Sequence, residues 1–397
     1  MFTKSLIDSK ELNKLVKTLK PDLRLISILP SMNCNGKCNI CHIWGDKGWA
    51  FNDLKNNIRD QIDINVLCEF IEDVLNNTNN DRQLWTLIAG GEPLLYKKIE
   101  TLLKFLRKKQ IPIILLTNGI LLKRFSKMVF ENVSFISTSL DGPPHINNKI
   151  RGVDNSFDLV CDGIQAIIEM KEEKNSIYPV IQISCTISPF NSEYIEEFIE
   201  AINNRFNSIG YRIKYKTDVF IRPKDIIINF ESLLFTTSKQ GREYVKEMKQ
   251  YFNCAVSSTY TGLINDDLNL DCKAIHRKLE KIWAIEGIDS SKYIDLEEWF
   301  YDISNVFGHT RCLLPWYGLR IRPNGEVFFC PDIADYSTGN IYETSFKEIW
   351  EGERANNFRK ILQTRLLPMC NRCEGLYRNL WNFPKLRQLG NTIISCD

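Results

Sequence analysis

The sequence has no long apolar run, no internal repeat and no low-complexity linker in its 397 residues. A membrane-spanning helix needs about 20 consecutive apolar residues, so we expect no membrane partner. The first 20 residues also lack the uninterrupted apolar core of a signal peptide. Because the net charge is only +2, the chain has no overall attraction for nucleic acid, and we expect none as a partner.

Cysteine, by contrast, is abundant, with 13 residues. An odd count in a long chain argues against a disulfide scaffold and favours a reducing cytoplasm in which thiols bind metal. The hydrophobic content of 44% and the charged content of 25% are ordinary for a globular protein. Since the length exceeds one ordinary core, we expect a large α/β domain together with something smaller.

The most informative motif is a cysteine triplet near the start of the chain, Cys34-x3-Cys38-x2-Cys41. Three thiolates on one short loop can hold three irons of a cubane [4Fe–4S] cluster and leave the fourth iron open to a small molecule. The alternative is a zinc site with His42 as fourth ligand, because zinc and iron–sulfur sites share sulfur ligands.

Short apolar runs alternate with helical patterns over the first 225 residues. The runs cover 23–29, 84–89, 112–116, 133–140, 179–187 and 209–216. The helical patterns cover 64–75, 99–109, 121–131, 157–171 and 194–206. Buried apolar strands that alternate with amphipathic helices form a parallel sheet. We therefore predict an α/β fold with a partial (β/α)6 TIM-like barrel over 25–225, preceded by an amphipathic helix within 1–24.

Polar motifs follow the predicted strands, at the edge where such a barrel carries its chemistry. Gly90 and Gly91 follow the second strand and could let the backbone approach a ligand, and Glu92 could receive a ligand ammonium group. A simple strand-to-helix turn ending at Pro93 is the alternative. Asn118 follows the third strand, where we predict a turn.

Ser139 and Asp141 follow the fourth strand. Their hydroxyl and carboxylate could hydrogen-bond ribose hydroxyls or an amino-acid group, or could form an Asx turn into Gly142. Arg151 could make a bidentate pair with a ligand carboxylate, or could be a surface arginine.

A second cysteine set lies in the last quarter of the chain, within a predicted small domain at 312–397, and comprises Cys312, Cys330, Cys370 and Cys373. The segment 319–329 between the first two predicts a β-hairpin with its turn at 324–325. Four thiolates complete the ligand shell of a [4Fe–4S] cluster or of a zinc ion, and the spacing favours neither.

Residues 226–311 are rich in aromatic side chains and predict helices near 241–252, 268–285 and 295–306. Aromatic residues at helical spacing indicate core packing. The alternative is an insertion that shapes the substrate cavity, since specificity is often carried by segments added to a rigid scaffold.

Together these motifs resemble the radical S-adenosylmethionine (radical SAM) superfamily with a C-terminal auxiliary-cluster domain of the SPASM or twitch type. The resemblance covers 25–225 and 310–375 and rests on both cysteine sets, the Gly90–Pro93 run and the Ser139–Gly142 run. A full SPASM domain carries seven cysteines for two auxiliary clusters. This chain has four there, so it looks like the single-cluster twitch variant.

The resemblance implies that the open iron binds the amino and carboxylate groups of SAM, whose reductive cleavage yields a 5′-deoxyadenosyl radical that takes hydrogen from the substrate. It further implies two [4Fe–4S] clusters, the auxiliary one accepting an electron, and an external donor such as flavodoxin or ferredoxin. The residues it would place against SAM are Ile40 at adenine, Gly90, Gly91 and Glu92 at the amino group, and Ser139, Asp141 and Arg151 at the ribose or carboxylate.

The resemblance predicts an oxidoreductase that oxidises or cross-links a peptide side chain, because auxiliary-cluster domains often accompany peptide maturation in this family. Oxidation of a small metabolite, such as a sugar or aminocyclitol alcohol, is the alternative. A non-enzymatic zinc protein is a third possibility from a different class. No catalytic base is identified; Asp332 is one candidate and could equally be a turn residue.

Overall fold

The computed structural model describes residues 9–45, 48, 61–78, 83–207, 210–215, 224–285, 294–331, 335–373 and 376. Its helices are α1 (Ser9–Thr18), α2 (Ile64–Asn77), α3 (Ile99–Lys108), α4 (Ser126–Asn132), α5 (Pro144–Arg151), α6 (Ser156–Glu173), α7 (Ile195–Phe206), α8 (Ser238–Phe252), α9 (Cys272–Ile285), α10 (Leu296–Tyr301), α11 (Phe346–Glu351) and α12 (Glu353–Leu362). Its strands are β1 (Leu25–Ile28), β2 (Trp85–Ile88), β3 (Ile113–Thr117), β4 (Phe135–Ser139), β5 (Val180–Ile187), β6 (Arg212–Lys214), β7 (Asp225–Ser232), β8 (Gly318–Ile321), β9 (Glu326–Phe328) and β10 (Gly339–Asn340). Among the described helices, none is long and apolar enough to cross a membrane.

The strands form one sheet in the order β10-β9-β8-β1-β2-β3-β4-β5-β7-β6. All pairs from β8 to β6 are parallel, and β9 and β10 add antiparallel pairs at one edge. Parallel strands are covered on both faces, which requires apolar residues at successive positions. β1 meets this requirement with four buried residues in a row. The predicted α/β partial barrel is therefore confirmed.

Helices pack along this sheet through regularly spaced apolar faces. In α6 the buried positions include Val160, Ile164 and Ile167, at the spacing of one helix face. The helices α2, α3, α4 and α6 contact one another in chain order, as expected when each crosses between neighbouring parallel strands. The described part of the N-terminal helix, α1, buries Leu12 and Val16.

The sixth strand of the barrel differs from the one predicted at 209–216. The described residues of the predicted segment 209–216 contain β6, which pairs with β7 at the outer edge of the sheet. β7 itself pairs with β5, so β7 is the sixth strand of the barrel. Residues 225–228 of β7 are all buried, whereas the three residues of β6 are half-buried. A strand between two neighbours needs the more continuous apolar run. The parallel sheet therefore continues through β7 to Ser232, beyond the predicted boundary at 225.

The C-terminal hairpin extends the barrel sheet. β8 and β9 pair antiparallel, and Gly325 in the predicted turn has a φ of +83°. β8 also pairs in parallel with β1, which places Arg320 opposite Ser27. Arg320 donates from Nε to Ser27 Oγ at 3.2 Å and from Nη1 to the carbonyl oxygen of Pro331 at 3.2 Å. One side chain thus joins the strand before the first cysteine loop to the residue after Cys330.

The segment 226–311 is part barrel strand and part aromatic core. Its helices α8, α9 and α10 lie where helices are predicted, but α10 ends at Tyr301. The rings pack in pairs, with Phe235 stacked on Phe300 at 5.8 Å and Trp299 stacked on Phe307 at 6.1 Å between ring centroids. Core packing is therefore the main role of these aromatic residues.

The end of α10 is capped by a buried arginine. Arg372 is 2% exposed, and its guanidinium donates to carbonyl oxygens of Trp299 at 2.5 Å, Asp302 at 2.6 Å and Asn305 at 2.9 Å. These include carbonyls that a helix leaves without partners at its C-terminus. The guanidinium carbon also lies 4.7 Å from the ring centroid of Trp299. The contacts fix the aromatic core to the loop that carries Arg372.

That loop also carries two candidate metal ligands, because Arg372 lies between Cys370 and Cys373. Lysine could not replace the arginine. It offers a point charge with three donors, where the site uses a planar group that stacks on a ring and donates in several directions.

We predict that Arg372→Lys lowers the free energy of unfolding by about 3 kcal/mol, because buried carbonyl acceptors lose their partners. Urea unfolding followed by circular dichroism measures the change. The matched control is Arg365→Lys, since Arg365 is exposed and stacks on Tyr251 at 4.4 Å. The control should change the free energy by less than about 0.5 kcal/mol. Equal stabilities of the two variants would contradict the structural role of Arg372.

Candidate functional site

The loop after β1 carries Cys34, Cys38 and Cys41, and backbone amides point at two of their sulfurs. The amide of Gly36 donates to Cys34 Sγ at 3.4 Å, and the amide of Trp44 donates to Cys41 Sγ at 3.4 Å. Hydrogen bonds to sulfur are among the features that tune iron–sulfur clusters. Burial raises the pKa of the Cys34 thiol to about 11, so its deprotonation at neutral pH needs a bound metal or cluster.

The cysteine loop is held against the C-terminal end of α5. The amide of Lys37 donates to the carbonyl oxygen of Arg151 at 3.1 Å, and that of Asn39 donates to Ile150 at 3.0 Å. Carbonyls in the last turn of a helix have no partner within the helix, so the loop supplies one. Gly152 permits the close approach, because its φ is +61° and a Cβ there would lie 2.8 Å from the carbonyl oxygen of Lys37.

The third sulfur, that of Cys38, receives its donor from Arg151. Nη1 of Arg151 lies 3.7 Å from Cys38 Sγ, and Nη2 forms an ion pair with Asp141. Burial by itself lowers the pKa of Arg151, but the charges of Asp141 and Cys38 offset this and raise it, so the guanidinium stays charged. Arg151 therefore places a cation beside the cysteine loop.

Asp141 has a structural position that the sequence analysis did not foresee. Its side chain is fully buried, one oxygen pairs with Arg151, and Oδ1 accepts the amide of Thr186 at 2.8 Å. Among the described residues that line the cavity below, Asp141 does not appear. Both of its oxygens are engaged, so the carboxylate positions Arg151, and its contact with SAM stays a prediction.

Gly90 and Gly91 hold the start of the cysteine loop. The amide of Gly91 donates to the carbonyl oxygen of Ser31 at 3.2 Å. A Cβ on Gly90 would lie 2.4 Å from that oxygen, and one on Gly91 would lie 2.3 Å from the carbonyl oxygen of Asn33. These positions admit only glycine, because the two backbones are in contact.

Glu92 lies beneath the site rather than in it. Its side chain is fully buried and accepts hydrogen bonds from the amide of Leu94 at 3.0 Å, the hydroxyl of Thr117 at 2.9 Å and the amide of Asn118 at 2.8 Å. Burial raises its pKa to about 7, against the opposing effect of these bonds. Glu92 is absent from the described cavity lining, and its contact with an ammonium group stays a prediction.

Asn118, which we had interpreted as a turn residue, reaches the cysteine loop. Its Nδ2 lies 3.7 Å from Cys34 Sγ and 2.7 Å from Asn35 Oδ1. Glu92 fixes the backbone of Asn118 and so positions this contact. No sequence signal separates an asparagine that ends a turn from one that also contacts a ligand thiol.

A cavity of about 630 Å³ lies beside the cysteine loop. Of the residues predicted to contact SAM, Ile40, Gly90, Gly91, Ser139 and Arg151 line it. Further lining residues come from the barrel strands and from the segment after them, and include Asn118, Ser137, Ser184, Thr186, Phe190, Glu231, Leu234, Phe235, Gly262 and Ile264. Within the segment 226–311, residues 231–235 and 262–265 belong to this lining, and a role of the segment in substrate binding stays a prediction.

The three loop thiols fit a [4Fe–4S] cluster. Each sulfur has at least one N–H donor, and the cavity provides room for a small molecule beside them. Cys34, Cys38 and Cys41 would hold the cluster, and the cavity beside them would receive the small molecule that completes its ligands.

The second cysteine set is largely buried. Cys312, Cys370 and Cys373 are at most 9% exposed, and Cys330 is partly buried. A set of four thiols fits either a [4Fe–4S] cluster or zinc. Asp332, the predicted candidate base after Cys330, lies outside the described residues.

Helix α8 contacts this region at two points. Gln240 Nε2 donates to the carbonyl oxygen of Pro368, next to the Cys370 loop, at 3.2 Å. Tyr244 donates its hydroxyl to Asp335 Oδ2 at 2.5 Å. Burial raises the pKa of Tyr244, and the charges of Asp335 and Cys330 raise it further, which shows that Cys330 lies close by.

We predict that the contribution of Glu92 to the free energy of unfolding depends on pH. Its pKa is near 7 in the folded protein and 4.5 in the reference state, so the folded state holds the proton more tightly. The contribution of Glu92 to stability is therefore fully present below pH 4.5 and falls by about 3 kcal/mol as the pH rises to the folded-state pKa near 7. We expect the difference in unfolding free energy between parent and Glu92→Gln to follow this curve in urea titrations from pH 5 to 8. A pH-independent difference would contradict it.

We predict that replacing Arg151 changes the reduction potential of a cluster held by Cys34, Cys38 and Cys41. Arg151→Gln removes a positive charge and an N–H donor from Cys38, so the reduction potential of the first cluster should become more negative. The measurement is an EPR-monitored redox titration of protein that also carries Cys370→Ala and Cys373→Ala. Arg124→Gln, on an exposed arginine, is the control and should leave the potential unchanged. Equal potentials in the two variants would refute the contact.

Two family profiles match the chain. The radical SAM superfamily profile matches residues 28–202, from the end of β1 to α7. The profile of the iron–sulfur cluster-binding domain SPASM matches residues 312–374, which contain the second cysteine set. The two matched segments are those on which the resemblance rests.

Two curated proteins are similar over most of this chain. The serine-type anaerobic sulfatase-maturating enzyme of Bacteroides thetaiotaomicron is 24% identical over 371 residues, which are 89% of this chain and 80% of that protein. The Fe-coproporphyrin III synthase of Methanosarcina barkeri is 27% identical over 316 residues, which are 74% of this chain and 73% of that protein.

Solved structures share the fold. That of anSMEcpe with bound AdoMet has a TM-score of 0.55 at 20% identity and covers 94% of this chain and 97% of that one. That of Streptococcus suis SuiB bound to S-adenosylmethionine has a TM-score of 0.53 at 15% identity and covers 94% of this chain and 77% of that one. The two profile matches show that this chain contains a radical SAM domain followed by a C-terminal SPASM domain.

Proposed function

We propose that this chain uses radical SAM chemistry to oxidise or cross-link a side chain of a peptide or protein. The observation that carries the proposal is the composition of the cavity. One side consists of the cysteine loop and the predicted SAM contacts, and the other consists of residues 231–235 and 262–265, which lie beyond the radical SAM profile. That second side is available to select a substrate.

The cavity is open to solvent along an apolar edge. Phe190 lines it and is 48% exposed, and the half-buried Leu234 also lines it. Aromatic residues are enriched where a protein surface binds another chain. This edge supports a peptide that lies across the opening and inserts one side chain.

SAM and [4Fe–4S] clusters are the cofactors of this family architecture. When bound, a reduced cluster and SAM supply a 5′-deoxyadenosyl radical. In our proposal Cys34, Cys38 and Cys41 hold this cluster, and Asn118 and Arg151 orient its thiolates. The backbone of 90–91, together with Ile40 and Ser139, surrounds SAM.

The second cysteine set holds one auxiliary [4Fe–4S] cluster in this proposal. Its ligands are Cys312, Cys330, Cys370 and Cys373. A four-thiolate cluster has no open position and suits electron transfer. It would take the second electron of the oxidation, and an external donor such as flavodoxin or ferredoxin would supply the electron that starts the reaction.

The similar proteins support a peptide substrate. One is named as a sulfatase-maturating enzyme, and solved structures show SuiB bound to the precursor peptide SuiA and anSMEcpe bound to AdoMet and the Cp18Cys peptide. These are properties of those proteins, and they guide the choice of peptides for this one.

Oxidation of a small metabolite is the second candidate. The observation that favours it is the similarity, at 27% identity, to a protein named as an Fe-coproporphyrin III synthase. A cavity of about 630 Å³ is also large enough to enclose a small molecule together with part of SAM.

We expect anaerobically reconstituted protein to bind about eight irons, and the combined variant Cys34→Ala, Cys38→Ala, Cys41→Ala to bind about four. With SAM and dithionite, the parent should release 5′-deoxyadenosine and the variant should not. Peptides that carry the serine target of a sulfatase should lose two hydrogens, which is read as a loss of mass. Cys68→Ala, on the half-buried cysteine of α2, is the control and should retain the parental iron.

Stoichiometric zinc with little iron would reject the radical reaction and leave a zinc-binding protein. The second candidate would be selected if the protein bound the parental amount of iron and released 5′-deoxyadenosine but modified no peptide. In that case a sugar or aminocyclitol should be oxidised instead.

A further inference from the structure

The inner face of the barrel carries a polar wall on three neighbouring strands. On β5 and β7 the last residues alternate between half-buried and buried, so every second side chain faces the barrel interior. The residues that face inward are polar. The residues between them, Ile183, Cys185 and Phe230, are apolar and buried. The polar members of the wall are Ser137 on β4, Gln182 and Ser184 on β5, and Asn229 and Glu231 on β7.

Hydrogen bonds in this wall run in one direction, toward Glu231. Ser184 donates to Glu231 Oε1 at 3.1 Å, and Asn229 Nδ2 donates to the same oxygen at 2.9 Å. A hydroxyl has one hydrogen, so the 3.0 Å contact between Ser137 and Ser184 must have Ser137 as donor. Gln182 Nε2 also donates to Ser184, at 3.1 Å. The carboxylate of Glu231 is thus the final acceptor of a chain that crosses three strands.

Glu231 lines the cavity at a position that we do not assign to SAM or to a cluster. In the sheet order, β1 and β7 lie at opposite ends of the six barrel strands, so the cysteine loop and Glu231 enter the cavity from different sides. Among the described lining residues, Glu231 is the only acidic one. The residues that the resemblance places against SAM follow β1, β2 and β4, and Glu231 on β7 is not among them.

We propose that Glu231 binds the hydroxyl of an alcohol-bearing substrate and takes its proton during oxidation. This inference rests on the proposed function and names its substrate class. Ser137, Ser184 and Asn229 hold the carboxylate in place, so it can accept a substrate hydrogen bond without reorganising.

The oxidation balances with Glu231 as base. The hydrogen on the carbinol carbon leaves as an atom and joins the 5′-deoxyadenosyl radical, giving 5′-deoxyadenosine. The O–H bond then breaks, its proton goes to Glu231, and the remaining electron goes to the auxiliary [4Fe–4S] cluster. The carbon–oxygen single bond becomes a carbonyl, so the substrate loses two hydrogens and two electrons.

An alcohol suits this wall better than an ammonium group does. A hydroxyl is one donor with two acceptor lone pairs, whereas an ammonium has three donors and accepts nothing. The wall combines one carboxylate acceptor with hydroxyl and amide groups, which can both accept and donate. It therefore matches a group of mixed character.

The test is a binding cycle on the complete protein with clusters and SAM but no reductant, so that no turnover occurs. The probes are two synthetic sulfatase-segment peptides that differ only by serine or alanine at the target position. The parent should bind the serine peptide about 10-fold more tightly or better, as expected for a hydrogen bond to a charged group. In Glu231→Gln this ratio should fall to about 3-fold or less.

Glu200→Gln makes the same chemical change on the exposed face of α7 and should keep the parental ratio. Undiminished discrimination in Glu231→Gln would overturn the assignment. If the parent binds neither peptide, the peptide function fails instead. The same affinities are then measured for an aminocyclitol and its deoxy analogue. The role of Glu231 is decided by the same affinity ratios in the parent, Glu231→Gln and Glu200→Gln.

A single-turnover reaction tests the proton transfer separately. With serine peptide deuterated at its β-carbon, Glu231→Gln should still pass deuterium into 5′-deoxyadenosine but form the oxidised product about 100-fold more slowly. A purely structural defect would lower both signals together. Oxidised product at the parental rate would overturn the role of Glu231 as base.

Discussion

The buried charge of Arg151 is the interaction on which the arrangement of the site depends. A cation removed from water is tolerated only where partners surround it. Here Asp141 pairs with it from the end of β4, Cys38 lies on its other side, and its carbonyl accepts the amide of Lys37. Thr186 on β5 in turn holds Asp141. The cysteine loop, α5 and two barrel strands thus meet at one side chain.

The second constraint is the continuous sheet. Because β8 pairs with β1, the C-terminal region does not hang from a linker but continues the barrel. Arg320 reinforces this pairing through hydrogen bonds to Ser27 and Pro331. Ser27 lies before the first cysteine set, and Pro331 directly follows Cys330 of the second set. A sheet is a rigid element, so backbone pairing, and not side chains alone, fixes the strand before the first cysteine set relative to the hairpin that ends at Cys330.

Sequence reasoning identified the chemistry of several residues but not the direction of their side chains. Glu92 and Asp141 have the functional groups that a ligand contact needs, yet both are fully buried and hold neighbouring residues in place. Asn118 was interpreted as a turn residue, and it contacts Cys34. A motif specifies which groups are near a strand end. Whether a group faces the cavity depends on contacts with residues far away in the chain.

What the sequence by itself determined is the architecture and the two thiol sets. Apolar runs that alternate with helices require a parallel sheet, and the spacing of Cys34, Cys38 and Cys41 requires a short loop at its edge. Only the tertiary structure decided which strand is sixth in the barrel and that Glu231 faces the cavity. The physical reason is that strand order and register arise from pairing between distant segments. The spacing of residues along the chain carries no record of that pairing.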